Sequence, residues 1–145
     1  AVNSREDQVK HLEMIQVVIN RLAGNTFLIK GWTVTFVTAI LVLAVGQKSW
    51  AVAVLAAVGA TVFGVLDAYY LRLERMFRCL YQQVDAGTVE SEGGGYAFSM
   101  NARKFSKHEE CRFWRVLTSP SVLWLYGLLI VGATVVGAVM GMASG

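Results

Sequence analysis

Three stretches of this chain carry no charged residue for long enough to cross a lipid bilayer, and no other feature narrows the possible folds as far. A helix needs about 20 apolar residues to span the hydrocarbon. Residues 31–47 are uncharged between Lys30 and Lys48, residues 49–66 run uncharged up to Asp67, and no charge follows Pro120. Only 16% of the 145 residues are charged and the mean hydropathy is +0.50, which excludes an ordinary soluble domain. The opening AVNSREDQ lacks the charged-then-apolar order of a secretory leader, so no cleaved signal is expected.

The first two spans are separated only by GQKS, which predicts a tight antiparallel hairpin. Trp32 and Trp50 lie near the two ends of the first span, where amphipathic rings prefer the membrane interface. Ser119 followed by Pro120 reads as a helix cap and first helical position, giving the third span a defined start. Lys48 is the one basic residue at the hairpin tip. Arg5, Lys10, Arg21 and Lys30 precede the first span, and Arg72, Arg75, Arg78, Arg103, Lys104, Lys107, Arg112 and Arg115 lie between spans two and three. The basic residues therefore crowd on one side, which the positive-inside rule makes cytoplasmic, with the N-terminus inside and the C-terminus periplasmic.

The charged part carries its own periodicity. Leu12, Ile15, Ile19 and Leu22 form one apolar helical stripe, and Leu73, Phe77, Leu80 and Val84 form another. Each stripe needs a partner, and the simplest partner is the other. The second helix is expected to run from about residue 49 to 84, with roughly half of it beyond the membrane at 1.5 Å per residue. Glycines and acids in DAGTVESEGGGYAF break it, and Ser106 with Glu109 in SKHEE reads as a capping box opening a short basic helix that ends near Thr118. The expected organisation is a single all-α membrane domain. It comprises an amphipathic helix at 1–25, spans at 27–47, 49–71 and 120–142, and a cytoplasmic helical region at 72–118.

Lys30 and Asp67 lie about equally far from the tip, so they sit at similar depth. An opposite pair there relieves the cost of charge at the hydrocarbon edge, as a structural lock or as a gate. Ala56, Ala60 and Gly64, and likewise Ala133, Gly137 and Gly141, recur every four residues and permit close helix approach, within one protomer or between protomers. Thr35, Thr38 and Thr61 are candidate pore-lining hydroxyls, as Thr33 and Thr134 also are, although a threonine can equally bond back to its own helix. Three helices enclose no aqueous path, so conduction requires a homo-oligomer. No span carries the mid-membrane charge that coupled transport uses, which disfavours an exporter.

Arg72, Arg75 and Arg78 follow one slowly drifting helical face. With Arg103, Lys104 and Lys107, and with aromatics interleaved nearby, they form a candidate anion site for a nucleotide or single strand. Contact with anionic lipid headgroups is the alternative, and Glu74, Glu90, Glu92, Glu109 and Glu110 offset part of the charge. The two cysteines, Cys79 and Cys111, have no metal-ligand spacing and read as reduced cytosolic thiols. His11 and His108 are isolated, and no catalytic or cofactor motif occurs, so neither an enzyme nor a bound cofactor is expected.

The segments HLEMIQVVINRLAGNTFLIKGW, LDAYYLRLERMFRCLYQQV and YAFSMN resemble the SLATT class of small bacterial membrane effectors, in particular Hailong-type anti-phage effectors. The likeness covers roughly residues 11–100 by pattern, and the third span departs from a two-span effector. It implies an oligomeric inner-membrane channel that depolarises infected cells, controlled by an oligonucleotide made by a partner nucleotidyltransferase. The sign of that control is open: the ligand can open the pore or hold it shut. The rival reading is a non-conducting scaffold that recruits a protein partner through its cytoplasmic helices.

Overall fold

The computed structural model describes residues 2–86 and 99–143. Every regular element among them is helical. Helix α1 is Val2–Gln47 and α2 is Trp50–Asp85; two short 3-10 turns follow at Ala102–Lys107 and Glu109–Cys111, then α3, Phe113–Leu117, and α4, Pro120–Ala143. Helices α1, α2 and α4 are long and apolar enough to cross a membrane.

The amphipathic helix expected at 1–25 and the span expected at 27–47 are one element. At 1.5 Å per residue, α1 is about 69 Å long. Gly24, Gly31 and Gly46 each weaken it by about 1 kcal/mol relative to alanine, and no proline interrupts the ladder. Packing against α2 along most of its length offsets that cost. Helix α2 meets the expected length closely and ends at Asp85. The acidic and glycine-rich breaker, with Glu90, Glu92 and the first half of YAFSMN, falls mainly outside the described residues.

Helix α1 stops through its backbone. Lys48 adopts φ 50°, its N–H bonds to the Val45 carbonyl at 3.3 Å, and the Ser49 N–H bonds to the Ala44 carbonyl at 3.1 Å. This pair of bonds is a Schellman motif, which usually places glycine where Lys48 stands. A left-handed lysine costs about 1–2 kcal/mol, and glycine gives back part of that through its looser unfolded chain. Lys48→Gly is therefore expected to stabilise the fold by about 0.5–1 kcal/mol, read as a higher thermal midpoint in detergent.

Past the turn, α2 runs antiparallel to α1. The Gln8 side-chain amide donates to the Val84 carbonyl at 2.7 Å at one end, and the Phe36 and Phe63 rings meet at 5.7 Å nearer the other. Two apolar cores result. In the charged half, Ile15 and Ile19 of α1 pack with Met76, Leu80 and Val84 of α2, flanked by Leu12, Leu73 and Phe77. The two stripes are thus each other's partners. In the apolar half, Val37 packs with Ala56, Ala60 and Ala133.

Helix α4 starts where the Ser–Pro pair places it, with the Val122 and Leu123 N–H groups donating to the Ser119 carbonyl. Gly64 faces the Tyr126 ring and Gly137 faces Ala53, both within one chain, whereas a side chain at Gly141 would meet nothing within 4 Å.

The expected capping box does not form. Ser106 lies inside the first 3-10 turn, and His108 is extended at φ −61° and ψ 139°, which ends that turn. Glu109 turns instead toward Arg112 at 3.3 Å and Arg115 at 3.6 Å. Local carboxylate–guanidinium attraction thus replaces the cap, and the single basic helix becomes two 3-10 turns and the five-residue α3.

Candidate functional site

A polar layer separates the two cores, and of the sequence-predicted residues Lys30 and Asp67 lie in it and Arg72 and Arg75 just beyond it. At its centre Lys30 Nζ donates to Asp67 Oδ2 at 2.5 Å. The Asp67 side chain is fully buried and that of Lys30 is 21% exposed, so this is an interior ion pair with one edge toward solvent. Burying charge is costly, and the pair persists because each partner compensates the other. Tyr126 of α4 lies beside Thr33 and Asp67, which brings all three long helices to one point. The Tyr126 hydroxyl is within interaction range of Thr33 and Asp67.

Above this layer, two arginines of α2 hold the segment leading into α4. Arg72 Nε donates to the Cys111 carbonyl at 2.8 Å, and an Arg75 amino group donates to Ser119 Oγ at 3.1 Å. The spacing of three puts both on the face that meets this segment. Arg78, one turn further, is exposed and pairs back to Glu74 at 2.7 Å. Arg103, Lys104 and Lys107 sit on the first 3-10 turn and point to solvent. Arg103 borders a cleft of about 620 Å³ whose floor includes Met76, Phe77 and Met100. The six proposed anion contacts therefore divide into two that brace the segment, one in a local ion pair, and three on an exposed basic turn.

The threonines follow the local rule. Thr33, Thr35 and Thr61 donate to the Ile29, Gly31 and Ala57 carbonyls of their own helices. Thr35, Thr38 and Thr61 are all on exposed faces. No cluster suited to a metal ion occurs among the described residues.

Sequence reasoning missed three members. His11 is fully buried, and its Nε2 lies 3.1 Å from the Ser99 carbonyl. A carbonyl can only accept, so Nε2 carries the proton. Met76 completes the charged-half core. Tyr126 was detectable: it is the polar-tipped ring six positions after Pro120, at a depth comparable with Asp67. The acceptors at Cys111 and Ser119 were not, because a backbone carbonyl and a lone serine hydroxyl carry no pattern.

Fold and site together define an all-helical protein with three membrane-length apolar helices, basic residues concentrated at one end, and a buried ion pair at the junction. Comparison with protein-family models, curated proteins and solved structures finds no match to this chain.

Proposed function

We propose that this chain is a multi-pass inner-membrane effector whose homo-oligomer forms an ion-conducting pore, gated by an anionic cytoplasmic ligand of the nucleotide or oligonucleotide class. The observation that carries the reading is the double use of the basic row. Arg72 and Arg75 are the residues suited to an anion, and they also brace the segment entering α4. A phosphate competing for these guanidinium groups loosens that brace, because charge-assisted bonds to phosphate are stronger than bonds to a neutral carbonyl or hydroxyl. The cleft beside Arg103, with Phe77 and two methionines on its floor, offers a base an apolar surface next to cations.

In this reading the apolar halves of α1 and α2 form a transmembrane hairpin and α4 the third span, with both termini of the hairpin cytoplasmic. The positive-inside count supports that orientation. Trp32, Trp50 and Trp124 expose their rings near the ends of the spans, as interface-seeking residues do. The Lys30–Asp67 pair, with Tyr126 of α4 beside it, is the coupling element between ligand and pore. A nucleotidyltransferase partner in anti-phage defence would supply the ligand.

The test is ion flux through the purified protein in liposomes, with and without short single-stranded DNA. Flux is expected to change with oligonucleotide, and the response to weaken steeply with added salt as phosphate contacts release counterions. Arg72→Glu is expected to alter flux without ligand and to reduce the apparent oligonucleotide affinity by about tenfold or more, since it removes one charge-assisted contact and adds repulsion. A verified oligomer with no flux under either condition would displace this reading in favour of a scaffold. Val9, Met14 and Val17, apolar and exposed in the charged half of α1, are the feature that favours that second reading.

A further inference from the structure

Cys79 of α2 and Cys111 at the end of the second 3-10 turn come from positions 32 residues apart, and their sulfurs lie 3.9 Å from each other. Both are thiols. Cys111 is fully buried, whereas Cys79 is partly open to solvent. Both belong to or border the charged-half core, so the packing of Met76, Leu80 and Ala102 holds them at this separation. A disulfide needs about 2.05 Å between sulfurs. The sulfurs must therefore approach by about 1.9 Å for the bond to form, through side-chain rotation and any accompanying shift of the 99–111 segment.

We propose that Cys79 and Cys111 are a peroxide-oxidised pair that locks the 99–111 segment onto α2. Cys79 is the more accessible thiol and reacts first. Its sulfur attacks one peroxide oxygen, the O–O bond breaks, and the products are a sulfenic acid and water. The Cys111 sulfur then attacks the Cys79 sulfur, the S–O bond breaks, and a second water leaves. The two sulfurs lose two electrons to the peroxide, and every proton is accounted for in the two waters. The buried partner thus acts as the resolving thiol that an accessible redox cysteine needs to avoid over-oxidation.

The disulfide anchors Cys111 next to the bond that Arg72 makes to its carbonyl. A non-covalent brace that a competing anion can displace becomes a covalent one. This consequence for gating rests on the function proposed above, whereas the formation of the bond does not.

The experiment is peroxide titration of the reduced, full-length protein in detergent, followed by intact mass measurement and peptide mapping without reductant. The expected result is loss of two hydrogen atoms per chain, a cross-linked peptide containing Cys79 and Cys111, and simultaneous loss of both thiols toward maleimide. Dithiothreitol restores both. Cys79→Ser and Cys111→Ser should each abolish the cross-link, and if either fails to fold, the wild-type map alone decides. Gain of oxygen at Cys79 with Cys111 still a thiol would overturn the proposal, as would a cross-link between two chains. With the mapped disulfide present, oxidation is expected to abolish the oligonucleotide response in liposomes and reductant to restore it. A mapped disulfide in a protein that never conducts removes the gating reading and leaves the modification site standing.

Discussion

Asp67→Leu is expected to cost about 3 kcal/mol of folding stability, at the lower end of the range for breaking a buried ion pair. The change leaves the Lys30 ammonium in the interior without its 2.5 Å partner. Lys30 retains 21% side-chain exposure, so its stem can turn the charge partly toward the polar end and keep the loss from growing further. The double variant Lys30→Met/Asp67→Leu removes both charges and is expected to recover most of the loss, because an apolar pair of similar volume pays no desolvation penalty. Thermal unfolding in detergent, followed by size-exclusion chromatography of the surviving fraction, gives the comparison. Equal destabilisation in the single and double variants would mean that the pair contributes packing volume and that its charge is incidental.

The second large effect is expected at Gly64→Leu. A side chain at Gly64 meets Tyr126 at its Cγ, 3.1 Å away, and at its Cβ, 3.5 Å away, which are the root of the ring. Those atoms are fixed by the α4 backbone, so relief requires α4 to move outward, at a cost of about 1–3 kcal/mol for overpacking. Gly59 makes an informative contrast. At Gly59 an added Cβ runs into the Phe36 ring of α1, which has to move aside, but it meets no atom of α4, so Gly59→Ala disturbs the α1–α2 contact and leaves Tyr126 in place. The displacement at Gly64 also pulls Tyr126 away from Asp67. Liposomes containing Gly64→Leu should therefore show altered basal flux where Gly59→Ala does not. Equal changes of basal flux in the two would show that the effect does not depend on the position of α4.

Legibility differed between parts of the molecule for identifiable reasons. The helical content and the three membrane-length elements followed from uncharged runs, and the start of α4 followed from a serine and the chain's one proline. The mutual packing of the Leu12/Ile15/Ile19 and Leu73/Phe77/Leu80/Val84 stripes was legible because each is an apolar face on a charged helix, whereas the addition of Ala102 and Cys111 to the same core was not. The amphipathic stretch at 1–25 and the span at 27–47 run on as one helix, α1. Two glycines, Gly24 and Gly31, and a polar patch weaken a helix by less than the lateral packing of α2 supports it. The capping box failed because Glu109 had two guanidinium groups within reach, and a short motif carries no information about such competitors.

For the candidate site, charge and spacing alone determined that Lys30 and Asp67 share a depth and that Arg72, Arg75 and Arg78 share a face. What those arginines touch was decided by the tertiary structure. Arg72 meets a backbone carbonyl 39 positions away and Arg75 a serine hydroxyl 44 positions away, and neither acceptor has a sequence signature. The approach of Cys79 to Cys111 is of the same kind: two thiols in a sequence have no spacing rule until the chain between them folds back. Periodicity encodes what each helix must bury, because burial is a property of one face. Which distant group comes to lie against that face depends on how the faces are satisfied together, and only the folded chain specifies it.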